Sequence, residues 1–226
     1  SSVVSLSDCT TNGAVNEGAN FRDFTGGSAL TVAGHSATGA SVGLRLNSFQ
    51  GKCSAAVTDT TATGDAGLYA NNIETESAVT VSRSEFAGVN SRGILVDVVT
   101  GDSTVTLTEV ASHSTTQQGA YFDQVTMASI SLYDVVSASD TAEAITANRL
   151  SATTLSMSTI AAHASGSGAG HGIYVLSFTA GGGVTATDCA GTSDSGSGLY
   201  LMTMTSVTAV IASFSGTSNS GDCLRF

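Results

Sequence analysis

Short runs of alternating apolar and polar residues recur along this chain at a nearly constant interval. The run "SAVTVSRSEFAG" (Ser77 to Gly88) is echoed by "SALTVAGHSATG" (Ser28 to Gly39). Looser copies are "STVTLTEVASHS" (Ser103 to Ser114), "ASISLYDVVSAS" (Ala128 to Ser139) and "TTLSMSTIAAHA" (Thr153 to Ala164). Each is followed by a Gly/Ser-rich turn and then a short apolar run such as "GLRL", "GLYA", "GILV" or "GIYV". A third short segment ends on Phe24, Phe49, Ile73, Val99, Val125, Leu150, Phe178 or Met204, neighbours in that column being 24 to 28 residues apart. The alternation has the two-residue period of a strand with one face inward. Each repeat therefore predicts three short strands, and about nine repeats of about 25 residues fill the chain.

The interval narrows the architecture. Propeller blades need about 40 residues or more. The framework leucines of leucine-rich repeats are absent, and helical repeats need helix formers where this chain has β-branched residues and glycine. Three inward-facing strands per repeat predict an all-β parallel solenoid, a single domain spanning 1–226. One rung cannot bury its own inner face, so stacking supplies the core. With rungs ~4.8 Å apart, nine make a rod on the order of 40 Å long.

Composition supports a buried core rather than disorder: 41% of the 226 residues are hydrophobic and 11% charged. The formal net charge is −11 and Lys52 is the single lysine, so a basic surface for nucleic acid is excluded. An anionic membrane surface is an equally poor partner. No apolar run approaches the ~18 residues of a membrane span. The opening Ser1-Ser2-Val3 suggests a processed or trimmed chain.

Asn47, Asn71, Asp97, Asp123 and Asn148 each follow the second strand of a repeat. On this column and the three-strand rung, the whole chain resembles the right-handed parallel β-helix of the pectate-lyase-like superfamily, whose asparagine ladder stacks at a two-residue bend. Right-handedness is what the resemblance implies. Asn and Asp tolerate the left-handed backbone of such a bend, and stacked amides can hydrogen-bond along the column. Asp97 and Asp123 would lie ~5 Å apart. A shared proton, a bound Ca²⁺, or side chains turned to water would each relieve that repulsion. No other cofactor is required.

The resemblance also implies carbohydrate chemistry, although no family catalytic motif carries over residue by residue. The weak candidates are Asp59, Arg83, Glu109 and Asp134, one column on successive repeats, with Tyr133 and His113 nearby. Paired carboxylates can hydrolyse glycosides, and an acid–base pair can activate water. The plainer reading is a surface salt ladder with Arg83 between Asp59 and Glu109. A second pattern is the outward pairs Thr80/Ser82, Thr106/Thr108, Ser131/Tyr133, Ser156/Ser158 and Thr185/Thr187, interrupted by Tyr133, Ala33 and Val210, which resemble the ice-binding face of some β-solenoid antifreeze proteins.

The ends are the third signal. The chain enters on "VVSLSDC" and leaves on "CLRF", with no capping helix pattern at either side. Either it is part of a longer solenoid, or Val4 and Leu6 at one end meet Leu224 and Phe226 of another copy. Cys9 and Cys53 lie in the first repeats and Cys189 and Cys223 in the last two, ~30 Å apart along the rod. One cysteine of each group is then available for a disulfide between copies. The alternative is four buried thiols, with Cys9 and Cys189 sharing a core column with Phe86 and Phe214. The combined expectation is an extracellular or cell-surface structural solenoid, on a virion or otherwise, whose main partner is itself in a head-to-tail homopolymer. A polysaccharide lyase or hydrolase and an ice-binding module stand as alternatives.

Overall fold

The computed structural model describes residues 2–165, 168 and 170–226. The chain is all-β: its strands, from Val3–Ser7 to Leu224–Arg225, stack parallel into a solenoid of about nine turns. Register passes from rung to rung at the expected interval. On the first face Val79 pairs with Ala55 below and Val105 above. On the second, Phe86 pairs with Ala62 and Ser112. On the third, Val96 pairs with Ala70 and Phe122.

The alternation in the sequence becomes an inside and an outside. Leu30, Val32, Val57, Val81, Leu107, Leu132 and Leu155 turn inward from the first face and are fully buried. The column Phe24, Phe49, Ile73, Val99, Val125, Leu150 and Phe178, just past the end of the third face, lines another wall of the same core. Phe24 and Phe49 stack face to face at 4.8 Å, the rung spacing itself. Identical inward positions thus meet their own kind along the axis, and the burial of each depends on the rung above and below.

Three left-handed bends turn the chain in each rung. The first holds Asp8, Asp59, Arg83, Glu109, Asp134, Thr159, Asp188 and Ser213, with φ from 45° at Arg83 to 55° at Thr159. The second holds Asp23, Ser48, Asn72, Val98, Gln124, Arg149, Ser177 and Thr203. The third includes Gly51, Thr75, Gly101, Met127 and Ala152. The second bend corrects the sequence reading by one residue. Asn47, Asn71, Asp97, Asp123 and Asn148 pair in one column as expected. The left-handed residue is the next one along, so the ladder residues are the last extended positions before the turn.

Glycine opens the third strand in most rungs for a steric reason. A Cβ on Gly67 would lie 2.7 Å from the backbone nitrogen of Ala87 and from the carbonyl oxygen of Gly93. The second and third faces therefore meet backbone to backbone at that corner. Inward polar residues solve another local need. Ser84 Oγ accepts the Thr60 N–H at 3.1 Å, and Ser103 Oγ accepts the Ser77 N–H at 3.1 Å. Backbone donors that leave the ladder at a bend are thus satisfied by the next rung.

Candidate functional site

The column Asp59, Arg83, Glu109 and Asp134 forms the first bend, a convex edge of the rod. Arg83 donates to both carboxylate oxygens of Asp59, Nε to Oδ1 at 2.8 Å and the terminal nitrogen to Oδ2 at 2.9 Å. Those hydrogen bonds hold the Asp59 carboxyl below its ordinary pKa, outweighing the opposing effect of desolvation, with the Arg83 charge adding in the same direction. Both side chains are about half exposed, so the pair contributes little in water. Glu109 adds attraction to Arg83 from the next rung. His113 does not join them: it lies past the bend on the second face, where its Nε2 is 3.1 Å from Asp140. A depression of about 400 Å³ lies at the third bend, lined by Asp102, Met127, Ala128, Ser129, Ala152 and Thr154, away from every candidate residue.

The ladder column is laced differently from the expected amide stack. The side-chain oxygens of Asn47 and Asn71 are buried without a partner, so these two amides do not bond along the axis. Further up, Asn148 Nδ2 donates to the Tyr121 hydroxyl at 3.1 Å and Gln124 Nε2 donates to Asp97 at 3.0 Å. Asp123, 6% exposed, is gripped by Arg149 through both guanidinium contacts and accepts the Gln124 N–H at 3.0 Å. The positive charge beside Asp123 is therefore Arg149, at the place where a shared proton, a bound Ca²⁺ or side chains turned to water are the alternatives read from the sequence. Among the described residues no group of three or more His, Cys, Asp or Glu side chains is arranged to hold a metal ion.

The four cysteines are free thiols. Cys53 and Cys189 are each 1% exposed, which removes them from any disulfide between copies. Burial pushes the Cys189 thiol above its ordinary pKa. Cys9 is partly exposed and Cys223 exposed. Cys9 and Cys189 do share a core column with Phe214, but the rungs between supply His35, Thr60, Ser84, Val110, Val135 and Ile160. Phe86 belongs two residues further along. In that column His35 is 2% exposed, its Nε2 lies 3.1 Å from the Thr11 hydroxyl, and its Nδ1 is buried without a partner.

The outer side of the third face carries an arrangement the sequence reading missed. Tyr69, Tyr121, Tyr174 and Tyr200 fall in one outward column with Arg45, Leu95, Thr146 and Arg225. Arg45, Arg92 and Arg225 lie over the rings of Tyr69, Tyr121 and Tyr200 at 5.0, 4.2 and 4.9 Å. Tyr174 and Tyr200 stack at 5.3 Å, and His171 is 5.0 Å from both. Beside this column Arg92 donates to Gln118 at 2.9 Å and Gln118 donates to Glu143 at 3.0 Å. The missed signal was Tyr two residues after Gly67, Gly119, Gly172 and Gly198, readable as a column once the register is fixed.

No protein-family model matches the chain, and no curated protein or solved structure matches it either.

Proposed function

We propose that this chain is a structural β-solenoid, a stiff extracellular or cell-surface rod that joins further copies end to end into a filament, sheath or fibre. The observation that supports this most directly is the parallel register of the rungs, which shifts at one place, between Ser151 and Thr153. It runs through the outermost pairs, Val3 with Ala29 and Leu199 with Leu224, without changing character. There the inward positions lose their cover: Val4 is 40% exposed, Leu224 39% and Phe226 77%, while Leu6 is partly buried. A rung from another copy would extend the backbone ladders and cover these side chains. Several hundred Å² of apolar surface at ~25 cal/mol/Å² amounts to on the order of 10 kcal/mol before the cost of association. Head-to-tail contacts that do not close give open filaments. An acidic rod with short connections and few Lys or Arg also offers proteases little to cut.

Electron microscopy at neutral pH, with and without reductant, tests the reading. Fibres with an axial repeat near ~40 Å are expected. A share of the end contacts is expected to be reductant-sensitive, through Cys9 and Cys223 alone. Uniform short particles at high concentration under both conditions would remove the end-to-end role. The in-register Ser/Thr columns of the first face favour one other reading, ice binding. Thermal hysteresis of the rod, lost in a Thr106→Tyr variant, is its test.

A further inference from the structure

We infer that the outer side of the third face is a self-association surface, through which two copies of this rod pair side by side. The first reason is the distribution of charge. This face comprises the ladder column, the tyrosine column, the second bend and the column of Arg92. It carries five of the six arginines (22, 45, 92, 149 and 225) against six carboxylates, for a net charge of −1. The remaining faces and bends hold the other twelve carboxylates against Arg83 and Lys52, a net charge of −10. Like-charged faces repel, so contact through the third face is the lateral arrangement of two copies that keeps acid away from acid.

The second reason is composition. Four of the five tyrosines lie here. Tyr and Arg are the residue types enriched at the centres of protein interfaces. At the upper end Met202, 40% exposed, adjoins Leu176, and the Tyr174 hydroxyl lies 3.3 Å from the Met202 sulfur. The third reason is size. Seven residues across and nine rungs along give a patch of about 20 Å by about 40 Å. Roughly 800 Å² per copy is what a standard stable interface buries.

The same geometry argues against a sugar polymer as the occupant. Stacking a pyranose needs an open ring face, and here arginine or a second tyrosine covers the rings. The polar groups are moreover tied into axial chains, Arg92–Gln118–Glu143 and Asp123–Arg149, so the surface is ordered before any contact is made. Two copies related by a two-fold axis lying in the plane of contact present this face to each other in the isologous way.

The inference does not depend on end-to-end joining, and one experiment separates the two. Small-angle X-ray scattering and sedimentation velocity are run on the whole chain under reductant, from about 1 to about 100 μM. Side-by-side pairing is expected to double the mass per unit length of the rod at unchanged length. Met202→Glu, which replaces an exposed side chain and adds like charge at the contact, is expected to weaken pairing at least tenfold. Tyr133→Glu makes a similar change on the first face, at a residue 54% exposed, and is expected to leave pairing intact. Arg92→Glu is the second probe should Met202→Glu fold poorly by circular dichroism. Four results overturn the inference: a monomer at the top concentration, growth in length alone, equal weakening by the third-face variant and Tyr133→Glu, or a monomer that binds a uronic-acid oligosaccharide through this face.

Discussion

Val98 holds a φ of 56° at the second bend, where its neighbours in the column are Asn72 below and Gln124 above. A β-branched residue is the least suited to that region, since its Cβ crowds the following carbonyl. Replacing it with the residue already used one rung below should relieve the strain. Val98→Asn is expected to raise stability by about 1 kcal/mol, read as a higher denaturant midpoint at constant slope. His171 makes a different residue-level demand. Its Nδ1 accepts the Ser197 N–H at 2.8 Å, a bond only an unprotonated Nδ1 can accept. Desolvation holds its pKa below the ordinary imidazole value, with nearby Arg225 acting the same way and Glu143 opposing. The unfolded chain takes up this proton near pH ~6.5 while the folded chain still refuses it. Its contribution to stability is therefore full above that pH and is lost as pH falls through the lowered folded value. Melting temperatures between pH 7 and pH 5 should fall more steeply for the native chain than for His171→Asn, whose side-chain oxygen keeps the Ser197 bond. Parallel profiles would assign the acid response to other groups.

At the level of the strand, stability is shared between neighbours rather than held by any one rung. Phe122 is fully buried, and its column neighbours are Val96 below and the small Ala147 above. Phe122→Ala leaves a void that two adjacent rungs cannot fill by shifting, because their own ladders fix them. The expected loss is ~3–5 kcal/mol. In a stacked array that loss should be local. Hydrogen exchange should show protection falling most in strands Ile94–Thr100, Ala120–Thr126 and the start of Ile145–Ala164, and least in Val42–Gln50. A uniform drop along the rod would mean that it unfolds as one cooperative unit. The corner between the second and third faces is another element-level constraint, set by the backbone approach at Gly67. The sequence displays the glycine, but the reason lies in the rung above it.

For the whole molecule the consequence of stacking is a rod with unlike sides. In the first and last described rungs inward positions such as Val4 and Phe226 are uncovered, and the end-to-end proposal rests on them. Its third face is close to neutral and rich in Tyr and Arg, while the rest is strongly acidic. Raising ionic strength should therefore act unequally on two kinds of contact. Screening relieves acid–acid repulsion between rods, so association of any geometry should tighten between low and physiological salt. Pairing through the third face should depend on salt least, because that face carries little net charge to screen. Sedimentation at two salt concentrations distinguishes them.

The rung, its length and its inward residues follow from the sequence alone, because burial on a two-residue period writes itself directly into the order of apolar and polar residues. That is why the Phe24-to-Met204 column and the parallel three-strand turn could be read without coordinates. The grouping of Asp59, Arg83, Glu109 and Asp134 on one bend was legible for the same reason. Which residue of a bend takes the left-handed conformation was not, since Asn47 and Ser48 both suit a turn and only the closure of the rung selects Ser48. Nor was the fate of the thiols or of Asp123. Whether Cys53 faces the core and whether Arg149 reaches Asp123 depend on register between rungs 24 to 28 residues apart, not on local spacing. The tyrosine–arginine face belongs to the same class: residues scattered over most of the chain become neighbours only when the rungs stack. Local sequence determined what each rung buries; the stacking of rungs decided what the rod shows to its surroundings.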